Sequence, residues 1–126
     1  MKFKEYYITD NNGNSNCVIR SFCKLYNEKY DDVYSQLSII AKELKMDSFN
    51  DIPVFEEYMK RHKTFPIECN KNTKIKDLKL DDSNYIVFCY DKKDFYHMVT
   101  IMNKTLYDKN DDSLNLYIIS LYKQMN

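Results

Sequence analysis

Three residues of this chain are of types that combine into nucleophilic catalysis. Cys17 follows the polar stretch Asp10-Asn11-Asn12-Gly13-Asn14-Ser15-Asn16 and precedes Val18, Phe22, Leu25 and Tyr26. Their i, i+4, i+7, i+8 spacing predicts a helix over residues 17–26, with Ser15 or Asn16 as its N-cap. A thiol at a helix start sits beside unsatisfied N–H groups and the positive end of the dipole, which favours the nucleophilic thiolate. A buried cysteine that only packs fits that feature equally well. His97 lies inside the apolar run FYHMVTI. A lone histidine there is more often a core residue than a base.

Strand register changes that balance. If Asn103-Lys104 forms a two-residue turn, Met102 pairs with Thr105, Ile101 with Leu106, Thr100 with Tyr107 and Val99 with Asp108. His97, Val99 and Ile101 then share a face with Leu106 and Asp108. The apolar members are expected to pack on a helix, leaving His97 and Asp108 as diagonal neighbours about 7–8 Å apart at Cβ, a gap imidazole and carboxylate can bridge. Asp108 would orient His97 as a general base. Asn110 falls opposite His97 in the same register and is the alternative third member. Asp111 and Asp112 read as a solvated turn. A slip of one residue would turn Asp108 to the other face.

The elements that must position these groups follow from pattern. Residues 3–9 read as a strand. Val33, Leu37, Ile40 and Leu44 stripe a helix over residues 30–45, with Asp31 and Asp32 at its favoured acidic end. A third helix starts near Pro53, turns Phe55, Tyr58 and Met59 inward, and ends near Lys63. Strands are predicted at 64–69, 85–90, 95–102, 105–108 and 116–122, with a helical turn near 75–80. Helices first and antiparallel strands afterwards predict an α+β domain spanning residues 1–126, N-terminal helices packed on a C-terminal sheet.

Composition narrows the chemistry. One Gly in 126 residues leaves no Gly-rich phosphate cradle. Nineteen basic and nineteen acidic residues cancel, so no electrostatic footprint for nucleic acid is expected. Apolar runs of about five residues are too short to span a bilayer, and MKFKEYYITD lacks the apolar core of a secretory signal. A cytoplasmic location with free thiols is therefore expected. Cys17, Cys23, Cys69 and Cys89 form no C-x-x-C and no zinc-finger spacing with His, so no metal or other cofactor is expected. Cys23 reads as core, Cys69 and Cys89 as strand residues, and His62, in KRHK, as a solvated helix end.

A thiol at a helix start, then His on a strand, then an acid or amide on the next strand is the chain order of papain-like cysteine peptidases. The chain resembles the small papain-like proteins of bacteria and phages, which read roughly N-x-G-D-C-V-x-R-A, W-D-x-V-Y-x-x-L and H-x-V-x-V-x-x-G-x-x-Y-D-x-W-D. The counterparts are NSNCVIRSF around Cys17, YDDVYSQL at 30–37 and HMVTIMNKTLYDKNDDS at 97–113, with the VFEEYM helix between. The resemblance implies a minimal papain-like fold with Cys17 as nucleophile, His97 as base and acid, and Asp108 orienting His97. An oxyanion hole would combine the Cys17 N–H with a side-chain amide from Asn12 or Asn11. Arg20 matches the family Arg and is expected to pair with an acid and brace the helix. YDKND stands where the family has YDxWD, so Asp108 lacks the Trp that shields the pair and is expected to be more exposed.

The resemblance implies a thiol hydrolase that cleaves an amide or isopeptide bond of a protein or peptide, acting as a monomer or weak dimer. A non-catalytic binding or host-modulating module of a mobile element, and an acyltransferase with the same triad, are the alternatives.

Overall fold

The apolar periodicities become three helices and six strands. A computed structural model describes residues 1–126. The order is β1 (Lys2–Glu5), α1 (Cys17–Tyr26), α2 (Tyr30–Glu43), α3 (Ile52–Arg61), β2 (Thr64–Ile67), β3 (Asn84–Tyr90), β4 (Tyr96–Met102), β5 (Thr105–Asp108) and β6 (Tyr117–Gln124). Short 3-10 turns occupy Ile75–Asp77 and Asp111–Asn115. The protein is α+β, its helices packed on a sheet.

The strands form one sheet in the order β1-β5-β4-β3-β6-β2. It is mixed rather than purely antiparallel, because β1 joins the edge parallel to β5. The predicted strand over residues 3–9 is shorter than its apolar pattern. β5 ends at Asp108, so after Glu5 the chain finds one more partner, the Asp108 carbonyl for the Tyr6 N–H, and then leaves the ladder.

The hairpin has the register read from sequence for Met102 opposite Thr105, Ile101 opposite Leu106 and Thr100 opposite Tyr107, and the ladder ends before the expected Val99–Asp108 pair. Asn103 and Lys104 both have left-handed φ, 50° and 61°. A type I′ turn needs that at both central positions, and it matches the strands' right-handed twist.

Both faces of the sheet are covered. On one, Val18, Phe22, Val33, Leu37, Val54 and Phe55 of the helices pack against Ile86, Met98 and Tyr122. On the other, Val87, Val99, Ile101, Leu106 and Ile118 pack with Ile75, Leu114 and Leu116. This corrects one expectation: the face shared by Val99, Ile101 and Leu106 is buried under the 3-10 turns and their flanks. The helices take the opposite face, where Met98 points. A hydrophobic alternation identifies a buried face without saying what covers it.

Cys23 and Cys89 are buried. Cys69 lies beyond the end of β2, half-buried against the second core. His62 is not a solvated end. It caps α3, its Nδ1 meets the Tyr58 carbonyl, and its ring lies 4.3 Å from Tyr58 and 4.6 Å from Tyr26, centre to centre.

Candidate active site

Local sequence chemistry sets the entry to α1. Asp10 folds the preceding loop on itself: its carboxylate accepts the N–H groups of Asn12 and Asn14, and its carbonyl accepts that of Gly13. Gly13 occupies φ 82°, a conformation that suits a residue without Cβ. Asn16 is the N-cap, its side chain accepting from the Val18 and Ile19 N–H groups. The Cys17 N–H is left as the uncapped donor of the first turn, beside its own sulfur.

The start of α1 fills a gap in the sheet. β5 pairs with β4 only as far as Thr100, so Met98 has a free side where β5 has diverged. α1 takes that place: Ser21 Oγ donates to the Met98 carbonyl at 3.0 Å, and Thr100 Oγ1 donates to the Ser21 carbonyl at 2.8 Å. The thiol therefore sits at the edge of β4, next to His97.

His97 Nε2–H donates to Asp108 Oδ2 at 2.8 Å. Asp108 Oδ1 accepts from Arg20 Nη2 at 3.1 Å and from the Lys109 N–H at 2.8 Å. Arg20 also donates to Ser15 Oγ, which in turn donates to the Ile8 carbonyl. With Nε2 held by the carboxylate, Nδ1 is the nitrogen left for Cys17. One helix thus brings both the thiol and the guanidinium that grips the orienting acid.

The electrostatics follow from this arrangement. Burial works to raise the Cys17 thiol, but hydrogen bonding to His97, its positive charge, the Met98 N–H and Arg20 prevail, and the thiol lies below its ordinary value. Burial works against the His97 imidazolium, yet Asp108 and Cys17 raise it to about 9. Burial likewise disfavours the Asp108 carboxylate, and His97 and the Lys109 N–H hold it below its ordinary range. The set shifts the balance toward thiolate, imidazolium and carboxylate. By contrast burial pushes Cys23 up to about 11, and pushes Cys89, paired with His97 across β3 and β4, higher still.

Cys17, His97, Asp108 and Arg20 line one cleft of about 400 Å³, walled by Phe95, Tyr96 and part of the segment after β5, Ser113 included. A larger depression of about 500 Å³, between 66–71 and 119–121, contains Cys69 but no histidine. No group of three or more His, Cys, Asp or Glu side chains is placed to hold a metal ion. No helix is long and apolar enough to cross a membrane.

Other expected site residues lie elsewhere. Asn11 and Asn12 are exposed and do not line the cleft, because Asp10 pulls their backbone into its own turn. Neither is placed to complete an oxyanion hole. Asn110 lines the cleft but lies past the end of β5, where its side chain caps the 111–115 turn by accepting the Asp112 N–H. It makes no hydrogen bond to His97. Asp108 is not exposed despite the missing Trp: it is 4% accessible, enclosed by Arg20, His97 and the chain from Lys109 onward.

Compared with protein-family models, curated proteins and solved structures, the chain matches none. The site is therefore read from its own geometry.

That geometry adds residues the sequence reading passed over. Phe95 stacks on the His97 ring, centroids 5.5 Å apart and planes at 24°, while half its own surface stays open. Its position two residues before His97 was the available signal, since i and i+2 share a strand face. Ser15, one of the two expected N-caps, instead accepts from Arg20, a role the sequence did not indicate.

Proposed function

We propose that the protein is a papain-like thiol hydrolase acting on an amide or isopeptide bond through an acyl-enzyme on Cys17. The observation that carries this reading is the 2.8 Å His97–Asp108 hydrogen bond in the cleft that also holds Cys17 at the start of α1. Thiolate attack on the carbonyl carbon forms the C–S bond and places negative charge on oxygen, beside the Cys17 N–H. Collapse breaks the C–N bond, and the His97 imidazolium gives its proton to the departing amine. Neutral His97 then takes a proton from water, whose oxygen attacks the thioester. The acid leaves, and thiolate and imidazolium are restored. Asp108 stays ionised and holds the ring.

One observation favours the second reading, a binding module built on the same framework. The Cys17 N–H is a backbone donor for the oxyanion, but Asn11 and Asn12, the amides expected to join it, are exposed and outside the cleft. Removing one such donor costs roughly 10²–10³ in rate where it has been measured. Hydrolysis is thus expected to be slow.

An activated ester, p-nitrophenyl acetate, tests the reading without knowledge of the natural substrate. The reading predicts a nitrophenolate burst equal to the chain concentration, with the acetyl mass on the peptide containing Cys17. Cys17→Ala abolishes the burst and His97→Ala slows it strongly. Acetylation spread over several cysteines or lysines, with no burst, would overturn it and leave the binding module.

A further inference from the structure

One buried hydroxyl beside the site is without a partner. Ser113, on the 3-10 turn Asp111–Asn115, is 3% exposed, and its Oγ makes no hydrogen bond. A hydroxyl taken out of water without a partner costs free energy, so such groups are rare and call for an explanation. Its neighbour supplies one. An ionised carboxylate offers about four acceptor positions. Asp108 uses three: Oδ1 takes Arg20 and the Lys109 N–H, and Oδ2 takes His97. Ser113 and Asp108 line the same cleft, so an orphaned donor and an open lone pair on Oδ2 share one small space.

We propose that Ser113 is a positioning residue for Asp108, its hydroxyl donating to the open lone pair of Oδ2 after a small rotation about Cα–Cβ. The inference rests on the hydrolase reading for its purpose: with Arg20 and Lys109 on one oxygen and Ser113 and His97 on the other, the carboxylate plane is fixed against the imidazole. Ser113 already lies close enough to help hold the Asp108 carboxyl below its ordinary range. It also gives the 111–115 turn a role. Asn110 caps that turn, and the turn presents Ser113 to the acid. The titratable and charged groups around Asp108 are His97 on β4, Arg20 and Cys17 on α1, Cys89 on β3, Glu5, its register partner on β1, and Lys109 and Asp112 on the segment after β5.

The test is a carbon-detected NMR titration of the Asp108 carboxyl in the full chain, as wild type, Ser113→Ala and Ser113→Thr. A hydrogen bond to a charged acceptor predicts about tenfold or greater proton affinity of Asp108 in Ser113→Ala. Ser113→Thr, which keeps the hydroxyl, should return the wild-type value. Ser113 as packing alone predicts the same titration in all three, and that result overturns the inference. Should Ser113→Ala fail to fold, the wild-type chain still decides. A slowly exchanging, downfield Ser113 hydroxyl proton supports the bond, and rapid exchange with solvent overturns it. The hydrolase reading fails on a different measurement, the burst and the labelling of Cys17, so either can fall without the other.

Discussion

At the residue scale the site depends on one buried carboxylate imposing its charge on one imidazole. Burial opposes the His97 imidazolium, but Asp108 and Cys17 together raise it to about 9 from an ordinary 6.5, while Cys17 is lowered from an ordinary 9.0. The linkage has a definite sign. A raised pKa on His97 adds stability that is complete below about 6.5 and lost as pH climbs through 9. A lowered pKa on Cys17 adds stability that is complete above about 9 and lost as pH falls through its folded value. Wherever the folded pair is ionised and the unfolded pair neutral, the two states hold equal numbers of protons, so this pair contributes no slope there. Asp108, held below 3.8, adds stability present above that pH and lost as pH falls through its folded value. Asp108→Asn removes the charge that raises His97. Imidazole NMR should then show His97 titrating at least one unit lower than in wild type, and an unchanged titration would contradict the assigned role.

At the element scale α1 is the organiser, because it carries the thiol, docks on β4 and sends Arg20 across to β5. Arg20 and Asp108 form a buried ion pair, and removing one partner leaves a charge poorly compensated. Arg20→Ala should destabilise the fold by roughly 3 kcal/mol in urea unfolding and slow Cys17 labelling as well. A surface ion pair would predict a change below about 1 kcal/mol and unaltered labelling. The hairpin gives a prediction of opposite sign. Lys104 has φ 61° in a turn whose preferred sequence is Asn-Gly, so Lys104→Gly should stabilise by up to about 1 kcal/mol without disturbing the cleft. A loss of stability there would mean that the Lys104 side chain matters more than its backbone strain.

The same scale shows what a sequence can disclose. The turn Asn103-Lys104 and the alternation on either side were enough to place His97 and Asp108 on one face, since period and turn length together fix register. The start of α1 was equally legible from Asn16 and the apolar stripe after it. The positions of Asn11 and Asn12 were not, because spacing along the chain cannot say that Asp10 would gather the loop's N–H groups to itself. Nor could the burial of Asp108 be foreseen without a Trp. It comes from Arg20, 88 residues earlier, and from a 3-10 turn with only a weak sequence signal.

At the scale of the whole molecule, a sheet of six strands buried on both faces gives β4 and β5 the rigidity the site needs. The second core, under His97 and Asp108, depends on few residues from outside the sheet, and Ile75 is fully buried among them. Ile75→Ala should cost about 2–5 kcal/mol in chemical denaturation, as for other large-to-small changes in a core. A cost below about 1 kcal/mol would mean the 3-10 turn only decorates that face. The parallel pairing of edge strand β1 was hidden from the sequence because its partner is 103 positions away: Lys2 pairs with Thr105.

The central claim is that Cys17 is a thiolate held by His97 while the other buried thiols are not. Competitive labelling with iodoacetamide from pH 5 to 9, resolved by peptide mass, tests it directly. The account predicts that Cys17 is labelled well below pH 9 and much faster than Cys23 or Cys89, and that His97→Ala erases the difference. Labelling of Cys17 no faster than Cys23, or equally fast without His97, would contradict it.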